Sequence, residues 1–311
     1  DVGGVNDGSF NQSSWEGLER AGEELGVTVN YLESATDADY APNLETFVDE
    51  DYDLIISVGY MLADATRAAA EANPDTKFAI IDDSSIDLPN VTSLIFHAEQ
   101  ASYLVGYVAG LTTKTNNIGF VVGMTNETMN QFGYGYYAGA KDANPDVTVQ
   151  QFNANSFADS ATGKTMANTA ITNGADIVFQ AAGATGLGVI EACQEAGVYA
   201  IGVDSDQSGI IGEDITVTSA MKGLGSAVEA ALDAYTSGNW SSIGGKSEQL
   251  GLTQGDYLGL PTADASWGFK TFTKDEYETV LNGIKDGSIT VSNDTENQPE
   301  VGSHVTVTYV E

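Results

Sequence analysis

At 311 residues the chain exceeds what one hydrophobic core comfortably supports, so two domains are expected, and 42% apolar residues suffice to fold them. Its 45 acidic residues against 11 basic ones give a net charge of −34, a surface that repels phosphate backbones and anionic headgroups and so excludes nucleic-acid binding. The acids are spread along the whole chain, with nine Lys and two Arg among them, which reads as a hydrated surface suited to high salt and points to a halophilic source.

The chain opens inside a turn. DVGGVNDGSFNQSSWEG (1–17) supplies two glycines, then Asn-Asp-Gly, then a Ser placed to cap a helix over 13–25 with Phe10, Asn11 and Gln12 at its start. An upstream segment is therefore expected. Helical spacing then predicts a helix at 43–48, and LIISVG (54–59) reads as a strand. A helix at 61–72, strands at 78–82 and 91–96 and a helix at 101–113 complete a first series. A second series runs through strands at 118–123, 147–152, 177–180, 200–204 and 215–219. Its helices are expected at 133–143, 161–173, 186–197 and 224–235. A less regular tail holds a helix at 274–286 and a strand at 304–310.

Strands separated repeatedly by helices of this length argue for βαβ units, so the fold class is α/β with parallel sheets in two Rossmann-like lobes. The polar stretch 114–117 marks a crossing. The first lobe is drawn as 1–115 plus about 224–250, and the second as 116–223 plus about 251–311. No stretch reaches the roughly 18–20 apolar residues of a membrane span. Cys193 is the only cysteine and reads as a small buried apolar residue.

In open parallel sheets ligands bind beyond the carboxyl ends of the strands, which selects the residues worth weighing. Asp82 ends FAIID (78–82) with Asp83 beside it, and Asp204 ends IGVD in the same way. Phe179 leads into a glycine-rich loop containing Gly183, and Lys222 follows the strand at 215–219 in a chain with few cations. Each aspartate alone reads equally well as a turn or capping residue, and Phe10 as a hydrophobic staple. Enzyme constellations are not found. His97 and His304 are the only histidines, and HExxH, GxSxG, GxGxxG and GxxxxGK[ST] do not occur. Nothing calls for a cofactor or a metal.

Several segments, taken in order, resemble one family. They are the opening turn, FAIID (78–82), NVTSLIF (90–96), EQASYLVGYVAGL (99–111), GYYAGAKDANP (135–145), GADIVFQAAGATGLGVIEA (174–192), IGVDSDQ (201–207) and VTSAMKGLG (217–225). The chain resembles the basic membrane protein (PnrA-like) family of ABC-transporter substrate-binding lipoproteins. The resemblance implies a type I periplasmic-binding-protein fold that closes by a hinge on a ligand in the interlobe cleft. It implies a purine nucleoside ligand such as guanosine, inosine or adenosine, and an ABC permease as partner. Phe10 and Phe179 would stack on the purine, Asn11 and Asp82 would bond its edge, and Asp204 would take the ribose diol near Lys222 and Gly183. Asp1 and Asp83 are secondary candidates. The family also implies a position outside the cytoplasm, held to the membrane by a lipid on an upstream cysteine. A nucleoside-sensing domain for signalling and, less well supported, a nucleoside hydrolase are the alternative readings.

Overall fold

The computed structural model describes residues 1–268, 271–296 and 307–310. Its first helices are α1 (Phe10–Leu25), α2 (Tyr40–Asp49), α3 (Ala63–Ala72), α4 (Ala98–Thr112) and α5 (Glu127–Ala143). They are followed by α6 (Ser160–Thr172), α7 (Thr185–Ala196), α8 (Ser208–Ile211), α9 (Leu224–Thr236) and α10 (Lys274–Lys285). The strands begin with β1 (Leu54–Ser57), β2 (Lys77–Ile81), β3 (Val91–Phe96), β4 (Asn117–Val122), β5 (Thr148–Asn153) and β6 (Ile177–Ala181). They continue with β7 (Tyr199–Asp204), β8 (Thr216–Lys222), β9 (Ser247–Leu250), β10 (Leu258–Gly259) and β11 (Val307–Val310).

The chain divides into two compact units. The first holds Asp1–Phe96 and Gly223–Leu250, the second His97–Lys222 and Gly251–Glu311. In the first unit the sheet order is β1-β2-β3-β9, with every pairing parallel. Its core gathers Leu44, Ile55, Ala70, Phe78, Ile80 and Val91. In the second unit the order is β10-β8-β7-β6-β4-β5-β11, and only the short β10 runs antiparallel. β6 is buried at every position, as a central strand covered on both faces must be. Of the strand expected at 304–310, residues 307–310 form β11 beside β5, while 304–306 lie outside the described residues.

The first lobe boundary needs correction. It was expected near residue 115, with α4 closing the first series, but the crossing falls at Phe96/His97 and α4 belongs to the second unit. The reason is a close helix pair. A Cβ on Gly106 of α4 would lie 2.2 Å from the Tyr136 carbonyl oxygen of α5, and one on Gly139 of α5 would lie 2.0 Å from the Tyr103 oxygen of α4. Only glycine permits the two backbones to approach this far. With Leu104, Val105 and Val108 buried as well, α4 is a core helix. No helix among the described residues is long and apolar enough to cross a membrane.

Several ends follow their local chemistry. Gly26 and Gly197 terminate α1 and α7 in the left-handed conformation, with φ of 68° and 65°. α5 starts six residues before the helix expected from its apolar spacing, because the Asn126 side chain accepts from the Met129 N–H at 2.9 Å and caps the added turns.

Candidate functional site

In the first unit, most candidate groups lie on the opening turn, which meets the end of β1, while Asp82 and Asp83 follow β2. A helix N-terminus leaves its first amides without partners, and at α1 these are taken by a residue the sequence reading passed over. The Asp7 carboxylate accepts from the backbone N–H of Ser9 at 2.9 Å, Asn11 at 2.9 Å and Gln12 at 3.0 Å. Ser9, which stands at the capping position, makes no side-chain cap bond. Burial holds the Asp7 carboxyl above its ordinary range, against the pull of those three donors and the α-amino group. The amides that would otherwise meet an anion at this helix end are spent on Asp7.

Asn11 is also committed in part, since its Nδ2 donates to Asp1 Oδ1 at 3.0 Å and to the Val2 carbonyl at 3.5 Å. The Asp1 nitrogen donates to the Val58 carbonyl at 2.7 Å, tying the turn to the end of β1. Phe10 opens α1 half-buried. Asp82 follows β2 with φ at 62°, a left-handed backbone that a non-glycine residue adopts at a cost of about 1–2 kcal/mol. Asp83 is accounted for locally, because its Oδ1 accepts from the Ser85 N–H at 2.9 Å and hydroxyl at 2.8 Å. Between the two neighbours, Asp82 is the one in a strained strand-end position.

In the second unit the order β5-β4-β6-β7-β8 reverses direction at β4, so β4 and β6 flank a topological switch point, the usual ligand position of such sheets. Phe179 does not stand there as a platform. It is 0% exposed within β6, stacked on Phe120 at 4.8 Å and 12°, with Tyr136 at 5.0 Å and Phe132 at 6.3 Å. One ring face is covered by Phe120 and the flanks by two further rings, so the residue is core. This corrects the sequence expectation.

The ring at the switch point is Phe157, in the loop between β5 and α6, and it is half-buried. A Cβ on Gly123 would lie 2.2 Å from Phe157 Cδ1, and one on Gly183 would lie 3.2 Å from the Phe157 carbonyl oxygen. The ring thus rests on the bare backbone ending β4, with the glycine turn after β6 (Gly183 φ 55°) against its own backbone. An aromatic residue set among Asn155, Ser156 and Asp159 after a strand was a legible signal, and the strand-end rule applied to β5 would have found it.

Asp204 ends β7 with φ at 65°, repeating the strain seen at Asp82, and is 6% exposed. It pairs with Met221, one position from Lys222, which ends β8 at 2% exposed. The Lys222 ammonium lies 6.0 Å from the centroid of the Phe132 ring, within cation–π range. A buried ammonium is retained only where its surroundings compensate the lost hydration, so Lys222 is an internal group, not a solubilising one. Cys193 is buried in the apolar cluster of α7, and desolvation pushes its thiol up to about 12, which makes it unreactive. The His97 Nδ1 and Glu99 Oε1 lie 3.1 Å apart, and that hydrogen bond raises the imidazole pKa against the opposing effect of burial.

A cavity of about 680 Å³ also lies within the first unit. Residues 27–34, 50–56 and Val58 line it, with Leu18, Val228 and Leu232 among the apolar contacts. Its lining mixes these aliphatic side chains with aromatic and polar ones, among them Trp15, Asn43, Glu50 and Asp53, and it reaches Asp1 and Asn11 of the opening turn.

Residues 1–293 match the model of the PnrA-like ABC transporter substrate-binding protein family. The CD4+ T-cell-stimulating antigen of Listeria monocytogenes is 41% identical over 84% of this chain and 78% of its own length. The ABC transporter nucleoside-binding protein BmpA of Lactococcus lactis is 36% identical over 94% of this chain and 87% of its own. Among solved structures, an ABC transporter solute-binding protein of Aeropyrum pernix superposes with a TM-score of 0.77 at 27% identity, covering 93% of this chain and 85% of that one.

Proposed function

Because the chain belongs to the PnrA-like family of ABC transporter substrate-binding proteins, which work outside the cytoplasm, we propose that it captures a purine nucleoside and hands it to an importer's permease. The observation that carries the ligand class is the pair of strained aspartates, Asp82 and Asp204, each in left-handed backbone just where a parallel strand ends. Strain of this kind persists where a site needs a side chain aimed in one direction. The name of the Lactococcus relative, a nucleoside-binding protein, supports the same ligand class.

In this reading Phe10 and Phe157 are the stacking rings, since both are half-buried at the ligand-facing end of their elements. Base–aromatic stacking contributes roughly 1–3 kcal/mol per base. Asp82 and the remaining acceptor of Asn11 take the polar edge of the purine. Asp204 accepts from the vicinal ribose hydroxyls by charge-assisted bonds, with Lys222 as its cationic neighbour and Gly183 keeping the backbone close. Asp1 acts through Asn11, and Asp83 only shapes the loop. No bond is made or broken, and a lipid tether upstream would keep the receptor near its permease.

Mass spectrometry of small molecules released on denaturing the freshly purified protein tests the ligand class. A purine nucleoside, released in near-stoichiometric amount, is the expected result. A sugar, amino acid or free base in its place would contradict it.

A further inference from the structure

In the second unit a pair of buried glutamines lies at the end of β6 and just after β7. Gln180 and Gln207 are each 1% exposed, and Gln180 Nε2 donates to Gln207 Oε1 at 2.8 Å. The same Gln207 oxygen accepts from the backbone N–H of Val203 at 2.9 Å, one residue before Asp204. The Gln207 backbone N–H donates in turn to Ser219 Oγ of β8 at 3.1 Å. On the other side, Gln180 Oε1 accepts from the Ala182 N–H at 3.2 Å, one residue before Gly183. One amide-to-amide contact therefore joins the end of β6, just ahead of Gly183, to the loop that follows Asp204.

The space for this contact is made by glycines. A Cβ on Gly186 would lie 2.0 Å from Gln180 Oε1, and one on Gly202 would lie 2.7 Å from Gln207 Oε1 and 2.5 Å from Ser219 Oγ. A side-chain amide suits the position because it donates and accepts without charge. An apolar residue at 207 would leave the buried Val203 N–H without this acceptor, at the residue preceding the strained one.

We propose that Gln207, braced by Gln180 and Ser219, is a positioning residue that sets the left-handed turn at Asp204 and so tunes affinity for the hydroxyl-bearing part of the ligand. The proposal rests on the reading of Asp204 as the group that meets the sugar. A purely structural glutamine would instead change the binding of every ligand alike.

The test compares Gln207→Leu with the parent protein for inosine and for hypoxanthine, alone and in an Asp204→Asn background, which keeps a residue that tolerates the left-handed backbone. The expected result is inosine affinity lower by about tenfold with hypoxanthine affinity changed by less than about twofold. In the Asp204→Asn background the added loss should fall below about twofold, because groups acting through one another are not additive. If Gln207→Leu does not fold, Ser219→Ala removes only the brace and is expected to lower inosine affinity by about threefold, again sparing hypoxanthine. Equal losses for inosine and hypoxanthine, or the full loss persisting without Asp204, would overturn the positioning role. If Asp204→Asn by itself fails to separate the two ligands, the assignment of Asp204 is what falls, and the role of Gln207 falls with it.

Discussion

Phe179→Ala lowers the stability of the ligand-free protein by about 3–5 kcal/mol, the usual cost of emptying a buried phenylalanine site. The ring is fully enclosed, with Phe120 stacked on it at 4.8 Å and Tyr136 at 5.0 Å, so nothing refills the space without moving other aromatics. Phe157→Ala is expected to do the opposite. Its ring is half-buried on a loop, packed over the backbone of Gly123, so its removal changes melting little. Nucleoside affinity should then fall by roughly 1–3 kcal/mol, the scale of one stacked base. Thermal melting of the apo proteins and calorimetric titration of each variant separate the two outcomes. A Phe179→Ala protein that melts normally but loses ligand would return that ring to the binding site.

Asp204→Asn is expected to weaken nucleoside binding by about 1.5–3 kcal/mol, the range for a hydrogen bond to a charged group, while free-base binding stays nearly unchanged. Asparagine is the cleaner replacement because the backbone at this position has φ of 65°, which Asn tolerates as Asp does. Alanine there adds a backbone cost of about 1–2 kcal/mol that would blur the reading. The matching change at Asp82, also left-handed at φ 62°, should weaken nucleoside and base alike, since its assigned partner is the purine edge. Comparing guanosine with guanine for both variants checks the division. Equal losses for the two ligands at Asp204 would remove the sugar from its role.

The sequence was most legible where a signal is local. The strand at 91–96 and the αL glycines Gly26 and Gly197 follow directly from apolar runs and cap chemistry. Strand-end placement likewise drew attention to Asp82, Asp204 and Lys222, though the left-handed backbone of the aspartates is a property of three-dimensional context and is not written in residue type. What failed was non-local. Ser-Glu-Gln-Leu (247–250) has no apolar run to mark it, and it is a strand only because β3 pairs with it from about 150 residues away. The allegiance of α4 depends on which helix its glycines touch, and that partner, α5, starts beyond the boundary the sequence suggested. Phe179 was misread for a related reason. β6 continues to Ala181, so the ring lies within a doubly covered strand and not at its end. The Gln180–Gln207 pair was invisible because two glutamines 27 positions apart carry no mark of meeting.

The central claim, that a purine nucleoside is the solute, is met most directly by calorimetric titration of ligand-stripped, refolded protein with inosine, guanosine and adenosine. Hypoxanthine and ribose serve as the separated halves. The account predicts binding of one molecule per chain for at least one nucleoside, tighter than for either half, because stacking and the sugar carboxylate act on different parts of the same ligand. Ribose alone binding as tightly as the nucleoside, or no heat from any nucleoside while another solute binds, would contradict it.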